Sequence, residues 1–125
     1  MNNLVDSSAW LEYFVDGSNA KYFAKAVEDE KSLIVPAIVI YEVFKKILLE
    51  KDENTALKIV AHMKLGKVIE LEMDLAMLAA RLSVENKLAM ADSVILATAR
   101  RHNAIIWTMD NDFEKIPEAK YFKKQ

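Results

Sequence analysis

Asp6, Glu42, Asp92 and Asp110 each stand where a short apolar run stops or a helical stretch begins. Asp6 closes Asn3-Leu4-Val5, and Glu42 lies one turn into the stretch after Pro36. Asp92 opens the apolar segment that runs to Ala99, and Asp110 follows Ile105-Ile106-Trp107-Thr108. If the apolar runs are neighbouring parallel strands, these carboxylates converge at one edge of a sheet. At ~5 Å and an effective dielectric of ~20, each pair would repel by about 3 kcal/mol. Such a cluster implies a cation, a shared proton or a basic partner, and a cation is the expectation. Oxygen-only donors suit hard ions such as Mg²⁺ or Mn²⁺. An ion held this way polarises a phosphoryl oxygen and acidifies water, so no histidine is needed.

Each acid alone also has an ordinary structural role. Asp6 can cap the helix that follows it, and Asp92 can cap its own. Glu42 can pair with Lys45 and Lys46 across one helical turn. Asp110 and Asp112 fit a polar turn, since Asp-Asn-Asp is common turn chemistry. The joint pattern, rather than any single residue, carries the metal expectation.

The elements that must position these acids can be read from periodicity. Leu4-Val5 reads as a buried strand, followed by a helix near 7–14 capped from Ser7 or Ser8. A helix over about 19–29 has apolar positions Ala20, Phe23, Ala24 and Val27. Leu33-Ile34-Val35 is strand-like and ends at Pro36. Helices follow over about 37–50, with the stripe Ile40, Val43, Phe44, Ile47 and Leu48, and 53–64, with Leu57, Val60, Ala61 and Met63. Val68-Ile69 is a further strand, and 74–86 carries Leu75, Leu78, Ala79 and Leu82 at helical spacing. The last long helix runs from Asp92 to His102, before the strand Ile105-Ile106-Trp107. Tyr121-Phe122 has the composition of a short edge strand. Alternating short strands and helices predict one α/β domain over residues 1–125, a three-layer α/β/α sandwich with a mainly parallel central sheet. Ligands in such sheets bind beyond the carboxyl ends of the strands, where Asp6 and Asp110 fall.

Composition narrows the chemistry further. The chain has no cysteine, which excludes thiolate metal sites and a cysteine nucleophile. It has two glycines, where typical usage of ~7% would give roughly nine, so Gly-rich phosphate cradles cannot be built. The longest apolar run, Leu33 to Tyr41, falls short of the ~20 residues that span a bilayer. No membrane association and a soluble, cytoplasmic setting are expected. A net charge of −2 offers no global attraction for nucleic acid. Polyanion contacts would have to come from Lys45-Lys46, Arg100-Arg101 or the tail Lys120 to Lys124, each of which reads first as a solvated helix face or tail.

Other candidates are weaker. His62 and His102 could form a metal-free acid–base pair, but His102 suits the C-terminus of its helix. Trp10, Tyr13 and Phe14 read as core or interface aromatics, with base stacking as the alternative.

Asp6-Ser7-Ser8 after a strand, the mid-chain Glu42, the segment Ala91 to Ala99 and Thr108-Met109-Asp110-Asn111-Asp112-Phe113 together resemble the PIN domain, particularly the small VapC-type toxins. The likeness spans nearly the whole chain, with the motifs in family order. It implies a Mg²⁺- or Mn²⁺-dependent ribonuclease, usually a homodimer, silenced by a cognate antitoxin. By position, Asp6, Glu42, Asp92 and Asp110 match the metal-binding acidic quartet, with Asp112 as an accessory acid. Ser8 and Thr108 match hydroxyl positions that hold a carboxylate or phosphate. The competing expectations are a nuclease without an antitoxin, a Mg²⁺-dependent phosphatase and a non-catalytic partner-binding module. The phosphatase would use Asp6 as nucleophile and wants a second acid where this chain has Ser8.

Overall fold

The computed structural model describes residues 1–125, and five short strands form a wholly parallel sheet at its centre. In chain order the elements are β1 (Asn2–Val5), α1 (Ser7–Phe14), α2 (Ala20–Val27), β2 (Leu33–Pro36), α3 (Ala37–Glu50), α4 (Glu53–Met63), β3 (Lys67–Ile69), α5 (Met73–Asn86), α6 (Met90–Arg101), β4 (Ala104–Thr108) and β5 (Ala119–Tyr121). The strand order is β3-β2-β1-β4-β5, so the chain winds outward through β2 and β3 and then returns to place β4 on the other side of β1. β1 and β4 pair in the register Leu4↔Ile106 and Val5↔Trp107. Their junction is the point at which the winding reverses, and ligand crevices of open parallel sheets form at such a point.

Both faces of the sheet are covered. Leu4 and Val5 point to opposite faces, yet both are fully buried, and Ile106 and Trp107 repeat the pattern on β4. This is why the strands read as unbroken apolar runs rather than alternating ones. α6 is buried from Ser93 through Ala99, with Ala97 and Ala99 letting neighbours approach closely. The Thr98 hydroxyl donates back to the Val94 carbonyl at 2.7 Å and is thereby satisfied inside the helix.

Several local expectations shift. α6 begins at Met90 with Ala89 at its cap, so Asp92 lies inside the first turn and does not cap the helix. Asp6, rather than Ser7 or Ser8, caps α1 by accepting from the Ala9 N–H at 3.0 Å. On α3 the buried stripe is Val39, Val43 and Ile47, whereas Leu48 is exposed. On α4 it is Ala56 and Met63, and Leu57 faces outward. α2 buries Ala26 along with Ala20, Phe23 and Val27. The edge strand is Ala119–Tyr121, which leaves Phe122 just beyond it. No helix is long and apolar enough to cross a membrane.

Candidate active site

Asp6 leaves the carboxyl end of β1 and is 3% exposed, buried by the strand ends and by α1. A lone carboxylate there would be costly, and the chain surrounds it with donors. Ser8 Oγ donates to Oδ1 at 2.7 Å and the Ala9 N–H to the same oxygen at 3.0 Å. Thr108 Oγ1 donates to Oδ2 at 2.5 Å. Each hydroxyl is itself held from behind: Ser8 Oγ accepts from the Met109 N–H at 3.0 Å and Thr108 Oγ1 from the Asp110 N–H at 2.9 Å. One network therefore ties the end of β1 to the end of β4. Burial still outweighs these bonds, raising the Asp6 carboxyl from 3.8 to about 6, with Asp110 adding to the rise.

The loop after β4 carries the next two acids. Asp110 Oδ1 accepts from the Asp112 N–H at 2.9 Å and so caps the 3₁₀ turn Asn111–Phe113. Phe113 is fully buried and anchors that turn. Asp92 comes in from the first turn of α6, and one oxygen each from Asp92, Asp110 and Asp112 lie within 4.8 Å of one another. The Asp92 carboxyl is pushed from 3.8 to about 7 by partial burial, then by the charges of Asp110, Asp112, Glu42 and Asp6. Glu42, on α3, is also raised, by burial and by Asp110, with the Ser7 side chain pulling the other way. Its Oε1 is buried without a hydrogen-bond partner.

Asp6 and Glu42 border this acidic cluster closely enough for their charges to raise the Asp92 carboxyl. Asp92, Asp110 and Asp112 form its tightest group, so Asp112 stands level with Asp110. Ser8 and Thr108 grip the Asp6 carboxylate. None of the three ion pairs in the chain, Lys46–Glu50, Arg100–Glu118 and Arg101–Asp74, neutralises the cluster. Converging hard oxygen donors, an orphaned buried Glu42 oxygen and the absence of a basic counter-charge fit a divalent cation of the Mg²⁺ type.

The histidine pair is not assembled. His62, on α4, packs edge-on against Trp10, Tyr13 and Phe14 at 5.3–6.4 Å between ring centroids. His102 sits at the opposite, amino-terminal edge of the sheet, where its carbonyl accepts from Asn2 Nδ2. Its pKa is lowered, first by burial and then by Lys67 and Arg101, so the helix end does not dominate it.

Sequence reasoning missed Asn19. It reads as part of a polar turn, yet it is 1% exposed. Its Nδ2 donates to the Lys123 carbonyl at 3.1 Å and contacts Met109 Sδ at 3.3 Å, while its N–H is held by Glu12 Oε2. Asn19 thereby fastens the α1–α2 turn and the C-terminal segment to the loop that carries Asp110. The one available signal was an Asn directly before an apolar helical stretch.

Residues 4–119 match the family model described as PIN domain. Solved structures with the same fold include a toxin–antitoxin complex from Klebsiella pneumoniae, at 22% identity and a TM-score of 0.83, covering 98% of this chain and 100% of that one. VapC20 from Mycobacterium tuberculosis, described as a sarcin–ricin-loop-cleaving toxin, aligns at 17% identity and a TM-score of 0.75 over 93% and 95% of the two chains. DNA-bound VapBC from Salmonella typhimurium aligns at 13% identity and a TM-score of 0.74 over 98% of each. Among curated proteins, none matches by sequence.

Proposed function

Because the chain belongs to the PIN-domain family, we propose that it is a metal-dependent endoribonuclease hydrolysing RNA phosphodiester bonds, acting as the toxin of a toxin–antitoxin pair. The observation that carries this reading is the cluster of Asp92, Asp110 and Asp112 at the β1/β4 switch point, with the charges of Asp6 and Glu42 felt there and no ion pair to balance it. Asp92, Asp110 and Asp112 hold the ion, Mg²⁺ or Mn²⁺, with Glu42 and Asp6 completing the acidic wall. When bound, such an ion supplies positive charge to a phosphoryl oxygen and acidifies water at neutral pH.

The rest is the protein's own work. Ser8 and Thr108 fix the Asp6 carboxylate in one orientation and oppose its protonation. Asp110 holds the backbone of its own turn, which keeps a carboxylate oxygen of Asp110 and one of Asp112 within 4.8 Å of an Asp92 oxygen. The carboxyls of Asp6 and Asp92 are raised to about 6 and about 7, and a divalent ion held beside them would favour their charged forms. Glu42 Oε1, with no partner, is left to accept from water or from a ligand.

Asp92→Asn and Asp6→Asn should each abolish cleavage of single-stranded RNA in Mg²⁺ or Mn²⁺ while circular dichroism stays that of the parent. Undiminished cleavage by both variants, in preparations free of contaminating nuclease, would sink the assignment. The partner reading draws support from fold likeness to proteins described as toxin–antitoxin complexes. A small partner reaching the acidic pocket with Arg or Lys is expected, and the aromatic face of Tyr13, Phe14 and His62 offers it a seat.

A further inference from the structure

A cleft of about 280 Å³ opens beside the acidic site, lined by Tyr41, Glu42, Lys45, Lys46 and Leu49. Glu42 belongs to both, so the cleft continues the acidic space along α3. Lys45 and Lys46 lie one helical turn beyond Glu42, about 5.4 Å further along the axis. Tyr41 is 57% exposed for so large a ring, and the Lys45 ammonium lies 5.7 Å from its centroid. Ring and charge form one unit, with an open aromatic face and a cation at its side. Lys46 is tied only to Glu50, in a solvated bridge between neighbouring turns that a stronger anion displaces readily.

A polyanion needs such local help here. The chain is net negative, and the acidic cluster repels a phosphate backbone. Arg100 and Arg101 are taken up by Glu118 and Asp74, and Lys120 rests on Trp107. Lys45 and Lys46 are the cations that share a helix face with one of the site acids. Single-stranded nucleic acid is held by this combination of cations tracking phosphates and aromatic faces stacking on bases. A second copy of the chain would have to meet two lysines there, whereas RNA brings the complementary charge.

We propose that the Tyr41–Lys45–Lys46 cleft is the subsite for a nucleotide flanking the scissile phosphate, with the base stacked on Tyr41 and its phosphate between the two lysines. The proposal rests on the ribonuclease reading of the acidic site.

The test is steady-state cleavage of a fluorescently labelled single-stranded RNA oligonucleotide in Mg²⁺ over a range of salt. Tyr41→Ala should raise KM roughly tenfold, the scale of one lost base–aromatic stack, with kcat retained. Tyr41→Trp should restore the parental KM. Lys45→Ala/Lys46→Ala should raise KM and flatten the log–log salt dependence of kcat/KM by about 0.7, the contribution of one neutralised phosphate. Parental kinetics in both the Tyr41→Ala and the double-lysine variants, with an active parent, would overturn the subsite and leave the ribonuclease reading standing. A parent inactive on RNA in both Mg²⁺ and Mn²⁺ would instead overturn the reading and the subsite together. Unchanged KM with a changed molecular mass by light scattering would reassign the cleft to a protein interface.

Discussion

Asp6 and Asp92 are the residues whose protonation couples the site to the stability of the whole chain. Both carboxyls are raised, so the folded protein keeps protons that the unfolded chain has already lost. Well below pH ~3.8 the two states are equally protonated at these groups. Between there and about 6 for Asp6, or about 7 for Asp92, the folded state binds more protons, and stability falls as pH rises. For buried Asp6 the loss approaches about 3 kcal/mol once that window is passed. The metal-free protein should therefore melt at a higher temperature at pH 5 than at pH 8, and Mg²⁺ should raise the melting temperature more at pH 8. Thermal scans in EDTA and in Mg²⁺ at both pH values check this, and identical melting under all four conditions would contradict it. Most of this constellation was legible in the sequence, because strand ends and helix starts fix where a carboxylate emerges. What was not legible is the long-range half of the grip on Asp6: the Thr108 bond, and the Met109 N–H that holds Ser8, form only when β1 and β4, about a hundred residues apart in the chain, lie side by side. The same holds for Asn19, whose partners Met109 and Lys123 come from the far end of the chain.

At the level of elements, periodicity identified helices better than it oriented them. α3 is apolar on almost every side, so its pattern fits the expected stripe through Ile40 and Leu48 as well as the observed one through Val39, Val43 and Ile47. Packing against α4 and α6 chooses between them, and that choice is tertiary. α5 had fewer apolar positions and was read correctly, with Leu75, Ala79 and Leu82 buried. Its end carries a local cost that can be relieved. Lys87 terminates α5 with φ 56° and ψ 44°, a left-handed conformation that side chains with a Cβ resist. Glycine is the usual residue at such a helix end. Lys87→Gly should stabilise the protein by about 0.5–1 kcal/mol, the gain at the left-handed position outweighing the added freedom of the unfolded chain. Urea unfolding at constant m-value measures it, and a lower midpoint would show that the Lys87 side chain makes a compensating contribution.

At the scale of the whole molecule, the sheet brings the acids together while the outer helices leave apolar surface uncovered. Met73, Met77 and Val84 are 79%, 54% and 82% exposed and share one face of α5. That stripe suits the expected homodimer: light scattering should give about twice the chain mass of 14.2 kDa, and Met77→Glu should return it to the monomer without loss of helicity. A parent that elutes as a monomer at micromolar concentration would remove this interface. The winding order has a further consequence, in time rather than in space. β1, β2 and β3 are neighbours in sequence and can pair as they are made, but the strand that flanks β1 on its other side is the fourth. Asp6 leaves the ribosome well before Thr108, Asp110 and Asp112, which arrive with β4 and the loop after it. A nascent chain therefore carries the acids of β1 and α3 without the loop that completes the cluster. On the proposed ribonuclease reading, a chain that lacks β4 and the loop after it should not cleave RNA.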